Sequence, residues 1–294
     1  MTRAEFQAWC RAHVRLLDGA TGSNFRKAGL RPGVCAEAWA LAHPQTVRAL
    51  QESYLAAGSE MLCVPSFGAN EVLLRAYGLE GQAQQLNRAL AELTRECVQG
   101  RALVAGDMTT TGRPVLPEMS AEYQKLLDVY SRQAEALLEG GADVLLVETL
   151  MGLTEAMAAV EAIRALSAEV PVLCSFSVQA DGHCYFDGDC AQAAEILPEL
   201  GADAIGVNCS FGPDMLESVV LSMRAQTELP ILCKPNAGLP RMLDTGEAVY
   251  SVTPEAFSRA MLPLHAAGAG LLGGCCGTDA RFIRSLRDAV LQKQ

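Results

Sequence analysis

Two of the eleven cysteines stand side by side, Cys275 and Cys276, within the run Gly273-Gly274-Cys275-Cys276-Gly277. A third, Cys209, follows Asn208 at the end of an apolar stretch 66 positions earlier. Neighbouring residues on a regular strand point to opposite faces, so a vicinal pair serves one ion only where the backbone leaves the pleat, and the flanking glycines allow that. Thiolate sulfur suits Zn2+ at about 2.3 Å, and three protein ligands with one open corner is the pattern of catalytic rather than structural zinc. The competing readings are a reduced buried pair and a vicinal disulfide, the latter uncommon in a reducing compartment. Three thiolates outweigh the charge of Zn2+, so the centre is a poor activator of water. A substrate thiol fits better: bound there, it loses its proton near neutral pH, although a free thiol titrates near 8.5, and stays electron-rich enough to attack carbon without a separate base. The chemistry implied is thiol alkylation. Cys10, Cys35, Cys63, Cys97, Cys174, Cys184, Cys190 and Cys233 have no such spacing and are expected as packing or surface residues.

Positioning these groups falls to eight apolar runs of strand length, 16–20, 61–67, 103–109, 144–149, 172–178, 204–210, 231–237 and 270–275. Between them lie stretches of helical period, such as Tyr123, Leu126, Leu127, Tyr130, Ala134, Leu137 and Leu138. Ser120 and Thr253, the latter followed by Pro254 and Glu255, are expected N-caps. Gly58, Gly141, Gly201 and Gly268 are placed to close helices in the left-handed conformation before the chain re-enters a strand. Strand and helix alternating eight times predicts an α/β fold, a single-domain (β/α)8 TIM barrel over residues 1–294, with a doubly wound open sheet as the alternative because spacing does not prove closure. In a barrel, functional groups gather at the C-terminal ends of the strands. Asp18, Ser66, Asp107, Glu148, Asn208, Cys209, Asn236 and the cysteine pair all fall there, and strands six and eight feed one inward layer, which brings Cys209 to Cys275.

The segments Leu17-Asp18-Gly19-Ala20-Thr21-Gly22, Val147-Glu148-Thr149, Gly206-Val207-Asn208-Cys209 and Gly273-Gly274-Cys275-Cys276-Gly277-Thr278 resemble motifs of the homocysteine S-methyltransferases, along nearly the whole chain. Pro235-Asn236-Ala237-Gly238 and Gly277 look closest to the homocysteine-binding module of cobalamin-dependent methionine synthase, since users of S-methylmethionine or S-adenosylmethionine typically carry arginine after the cysteine pair. The resemblance implies zinc held by Cys209, Cys275 and Cys276, homocysteine sulfur as fourth ligand, and Asn236 in that position when substrate is absent. It further implies Glu148 for the substrate ammonium with Asp18 assisting, backbone amides around Gly19, Ala20 and Ser66 for its carboxylate, and Asn208 orienting the neighbouring cysteine. The product would be methionine. The donor expected is methylcobalamin on a separate corrinoid protein; S-methylmethionine, S-adenosylmethionine, and a non-catalytic homocysteine- or zinc-binding subunit are the alternatives. Two segments depart from the family pattern: 107–112, where a Gly-Pro-Thr turn is usual, and 64–67. Asp107 in the first either caps a helix or faces a second cationic group.

The remaining features exclude other classes. With 34 acidic against 23 basic residues and a net charge of -11, the chain lacks the electrostatics of nucleic-acid or anionic-membrane binding. Residues 1–15 carry Arg3, Glu5, Arg11, His13 and Arg15, unlike a signal peptide, and no apolar run reaches membrane-spanning length, so a cytoplasmic protein is expected. Gly268-Ala269-Gly270-Leu271-Leu272-Gly273 spells a dinucleotide fingerprint but runs from helix to strand, the wrong order. Asp181-Gly182-His183 begins like a cobalamin-ligating motif that Phe186 breaks, and the four histidines are scattered. A last helix over Ala280–Leu291 is expected to complete the barrel, without space for a corrinoid module.

Overall fold

The computed structural model describes residues 1–115, 120–243 and 248–292. The side chain of Ser120, an expected N-cap, lies outside the described residues. The strands are β1 (Arg15–Leu16), β2 (Met61–Cys63), β3 (Leu103–Thr109), β4 (Val144–Leu150), β5 (Val172–Phe176), β6 (Ala204–Cys209), β7 (Ile231–Pro235) and β8 (Ala269–Leu272). Each pairs in parallel with the next from β2 through β8, and β8 pairs with β1. The ring closes through a parallel bridge between Leu17 and Met61, and Leu17 N–H also donates to the Leu272 carbonyl at 2.7 Å. Closure settles the choice: the fold is a (β/α)8 barrel, not an open sheet.

The strands are apolar throughout because helices cover one face and the barrel interior fills the other. Leu17, Met61, Ala105, Val144, Leu146, Leu173, Ala204, Leu232 and Leu271 make that interior, and Phe6 enters it from below. Phe6 belongs to the helix Arg3–Ala12, which opens on a Thr2/Glu5 capping box. Its ring stacks on Trp9 at 5.8 Å, and Arg3 fastens the helix to Asp203 at 2.8 Å. The charged first residues thus form a plug for the bottom of the barrel.

The expected helix-closing glycines all adopt positive φ: Gly58 at 106°, Gly141 at 96°, Gly201 at 106° and Gly268 at 114°. At each, an arginine from a neighbouring helix lies over the missing side chain: Arg287, Arg95, Arg164 and Arg224 in turn. Thr253 caps the helix Pro254–Ala266 as expected, and the last helix is Ala280–Leu291. Run 61–67 yields only a three-residue strand, because Pro65 has no N–H to donate and Ser66 N–H turns back to the Val64 carbonyl at 2.7 Å. A ribbon pairing Arg241–Met242 with Ala248–Val249 was not anticipated, since two-residue strands carry no readable period. Among the described residues no helix is long and apolar enough to cross a membrane.

Candidate metal centre and substrate cavity

The chain departs from regular geometry where the sulfurs sit. Strand β8 ends at Leu272, and 273–278 form a turn in which Cys275 N–H donates to the Pro235 carbonyl at 2.8 Å and Thr278 N–H returns to the Cys275 carbonyl at 3.1 Å. Glycine is required here for space: a Cβ on Gly273 would stand 2.8 Å from the Asp18 carbonyl oxygen, and one on Gly277, at φ 84°, would strike the Tyr250 ring. At the end of β6, Cys209 and Ser210 are both left-handed, φ 55° and 56°, a conformation unfavourable for side-chain-bearing residues. The Ser210 hydroxyl holds this turn by accepting from Val178 N–H at 2.8 Å and donating to the Asn208 carbonyl at 3.1 Å.

These two turns bring Cys209, Cys275 and Cys276 together, their sulfurs all within 4.8 Å of one another and Cys209 Sγ 3.9 Å from Cys276 Sγ. Tetrahedral ligands about 2.3 Å from one ion are separated by about 3.8 Å, so the triad has the dimensions of a zinc site. The protons are shared unequally. Hydrogen bonds with Cys209 and Cys275 pull Cys276 down to about 3, while the same contacts push Cys275 upward. The Asn236 side chain lies beside Cys209, and its Oδ1 is buried without a partner. A soft triad with an unclaimed oxygen beside it suits a four-coordinate ion. Tyr250, which the sequence reading missed, lies beside Cys276 with its ring against Gly277.

The sulfurs form one wall of a cavity of about 230 Å³. Gly19, Ala20, Asp107, Glu148 and Lys234 line it as well. Lys234, on β7, is the largest omission of the sequence reading. Its Nζ donates to Glu148 Oε2 at 2.8 Å, lies 3.3 Å from Cys63 Sγ and stands 3.7 Å from Asp18 Oδ1, all in the barrel interior. Burial pulls this ammonium down, but Cys63, followed by Glu148, Asp18 and Asp107, more than offsets it and holds it well above the ordinary lysine range. Asp107 projects into the same cavity. Burial pushes its carboxyl well above the usual carboxylate range, with the Glu148 charge adding to the effect.

Other expected residues are placed differently. Asp107 lies within β3, so it caps no helix. Asp18 sits below the cavity, where Oδ2 accepts from Cys63 N–H at 2.8 Å. Ser66 faces elsewhere, its amide spent on Val64 and its hydroxyl on the Asp107 carbonyl at 2.7 Å. The Ala20 amide donates to Thr278 Oγ1 at 3.1 Å. Asn208 does not bind the neighbouring cysteine: its Oδ1 accepts from Thr149 N–H and Ser175 Oγ, both at 2.8 Å, and its Nδ2 donates to Thr149 Oγ1 at 2.7 Å. It therefore fixes the end of β4, where Glu148 precedes the left-handed Thr149 (φ 61°).

Comparison with known proteins agrees with this architecture. The chain is 29% identical to the methionine synthases of Mycobacterium leprae and Mycobacterium tuberculosis across 94% of its length, while spanning only 24% of theirs. Its fold superposes on the metallated form of the homocysteine methyltransferase MmuM of Escherichia coli with a TM-score of 0.77, at 23% identity and covering 94% of this chain and 96% of that one. The homocysteine S-methyltransferase family matches residues 15–290, an interval that holds all eight barrel strands and the three converging sulfurs. The chain belongs to that family.

Proposed function

We propose that this protein is a zinc-dependent S-methyltransferase that makes methionine from homocysteine, with the methyl group delivered by a separate methyl-corrinoid protein. The observation that carries the reading is the convergence of three sulfurs on a cavity that buried carboxyls also line. Cys209, Cys275 and Cys276 would hold the ion, with Asn236 beside its remaining corner. Zinc so held would lower the pKa of an arriving thiol and keep its sulfur nucleophilic. The acids of the cavity favour the cationic end of an amino thiol, and the Gly19 backbone lies open to the same space for its carboxylate.

Two features support a protein-borne donor. Tyr250 fills the space beside Gly277, where family members that use small sulfonium donors typically carry arginine. Large apolar side chains also stand exposed on the loops at the sulfur end: Phe67, Tyr185, Phe186, Met215, Leu239 and Met242. The test is turnover by the zinc-loaded chain given homocysteine with methylcobalamin, S-methylmethionine or S-adenosylmethionine in separate reactions. Methionine formed from methylcobalamin alone is expected. Turnover with either sulfonium compound would overturn the donor assignment, and homocysteine binding without turnover from any donor would mark the chain as a non-catalytic subunit.

A further inference from the structure

A second cavity, of about 170 Å³, lies on the flank of the barrel between the helices Ala83–Val98 and Ser120–Glu139. One loop serves both cavities, since Pro65 and Phe67 line the first while Ala69 and Asn70 line the second. Three polar atoms of residues around the second cavity are buried without a hydrogen-bond partner among the described residues: Asn70 Nδ2, Gln133 Oε1 and Glu80 Oε2. Asn70 and Gln133 are 1% and 2% exposed, and the bonds they do make fix which end of each amide is left over. Asn70 Oδ1 accepts from Leu73 N–H at 2.9 Å, so its nitrogen is the unused end. Asn87 Nδ2 donates to the Ala69 and Ala83 carbonyls, which turns its oxygen toward Gln133 Nε2 at 3.2 Å. That nitrogen also donates to the Ser66 carbonyl at 3.1 Å, so Gln133 is left with its oxygen. Arg132 lines the same cavity; Nη1 donates to Glu71 at 3.0 Å, and its other N–H groups make no hydrogen bond among the described residues.

Buried polar atoms left unpaired are costly, so the set describes what completes it. One water needs only about 10 to 15 Å³ of such space, far less than this cavity offers. A bare cation would meet the Asn70 N–H and the Arg132 guanidinium, and a bare anion would meet the Glu80 carboxyl and the Gln133 oxygen. A molecule carrying both signs matches all four. We infer that this cavity binds a small zwitterion of the α-amino acid class, its ammonium on Glu80 and Gln133 and its carboxylate on Asn70 and Arg132. Ala69, Ala83 and Val129 supply an apolar wall for its side chain. The site is separate from the sulfur cavity and does not depend on the reaction proposed there.

Titration of the 15N-labelled full chain with L-alanine, propionate and propylamine, followed by backbone amide shifts, tests the assignment, since each of the last two lacks one charge. L-alanine should bind with shifts centred on Asn70, Gly81 and Gln133 rather than on Gly19 and Gly274, which line the sulfur cavity. Propionate and propylamine should bind at least about tenfold more weakly, because each leaves part of the polar set unpaired. Glu80 is half-buried on a single helical turn, Glu80–Gln82, so Glu80→Gln leaves the fold intact, as its thermal transition would verify. It should weaken L-alanine about tenfold or more, the loss expected for one hydrogen bond to a charged group, and change propionate by less than about threefold. Arg132→Gln should weaken L-alanine likewise while changing propylamine by less than about threefold. Shifts confined to the sulfur cavity, L-alanine binding no better than propionate and propylamine, or unchanged affinity in both variants overturns the assignment. No binding of L-alanine at all also overturns it and marks the cavity as hydrated only.

Discussion

Replacing Lys234 with methionine is the most informative single perturbation of the barrel interior. The side chain is 3% exposed, as is that of Asp18, and Glu148 is 7% exposed, so solvent screens these charges little. At an effective dielectric near 20, attraction at 2.8 Å is roughly 6 kcal/mol and at 3.7 Å roughly 4 to 5 kcal/mol, before the desolvation that offsets most of it. What the substitution exposes is the other side of that balance, two buried carboxylates without a cation, and losing one member of a buried pair costs about 3 to 5 kcal/mol. The expected outcome is that much lower unfolding free energy in urea at pH 7, or a Tm lower by roughly 6 to 20 °C. Circular dichroism together with the fluorescence of Trp9 and Trp39 would follow the transition. Adding Glu148→Gln should restore more than half of the loss, since it removes one of the stranded charges. A single-variant loss below about 1 kcal/mol would refute the reasoning, because it would mean that the folded protein does not depend on this ion pair.

Three further outcomes are expected. Cys276→Ser should abolish stoichiometric zinc by elemental analysis while the thermal transition of the barrel stays close to that of the wild type, because the sulfurs sit at the last residue of β6 and on the turn after β8 rather than in the packed interior; retained zinc would remove Cys276 from the ligand set. Asp107 has a folded-state pKa raised above its unfolded value near 3.9, so the stability it lends is complete below that pH and is lost as pH rises toward the folded value. Asp107→Asn should therefore be more stable than the wild type at pH 7 and no more stable at pH 4, and equal urea midpoints at pH 7 would contradict this. Asn208→Ala should keep its zinc yet weaken homocysteine and cost about 1 to 3 kcal/mol of stability, because its hydrogen bonds go to Thr149 and Ser175; loss of zinc with homocysteine contacts intact would restore Asn208 to the cysteine.

The sulfur triad was legible because its signal is local: two adjacent cysteines among glycines have few uses, and Cys209 ends an apolar run of the right parity. The eight strands and the helix-closing glycines were legible for the same reason, each being written in consecutive residues. Closure was not, since it turns on one bridge between Leu17 and Met61 and a two-residue β1. Lys234 carried a usable signal: a lysine inside the buried run 231–237 needs a counter-ion, and Glu148 and Asp18 were the acids available. The roles of Asn208 and Ser66 came from the family resemblance, but on a strand the next residue faces the other way, so adjacency to Cys209 was a reason to doubt that Asn208 holds it. Asp107 was ambiguous because its direction depends on how far β3 continues, which the unusual 107–112 segment hides.

Three of the four non-glycine residues with positive φ among the described residues, Thr149, Cys209 and Ser210, stand at the ends of β4 and β6. Each such conformation costs of order 1 kcal/mol or more, and it persists only where the surroundings impose it. Asn208 supplies that constraint for Thr149 and Ser210 supplies it for the cysteine turn, and the two flank Cys209. The strain has a directional consequence. Without a left-handed turn Cys209 would continue the pleat instead of turning toward Cys275 and Cys276. The same three-residue stretch thus sets the position of a sulfur and, across the barrel wall, the end of the strand that bears Glu148. Sulfur end and acid end of the cavity are therefore mechanically one unit, which is the condition for a substrate held at both ends to present its thiol at a fixed distance from the cation-binding acids.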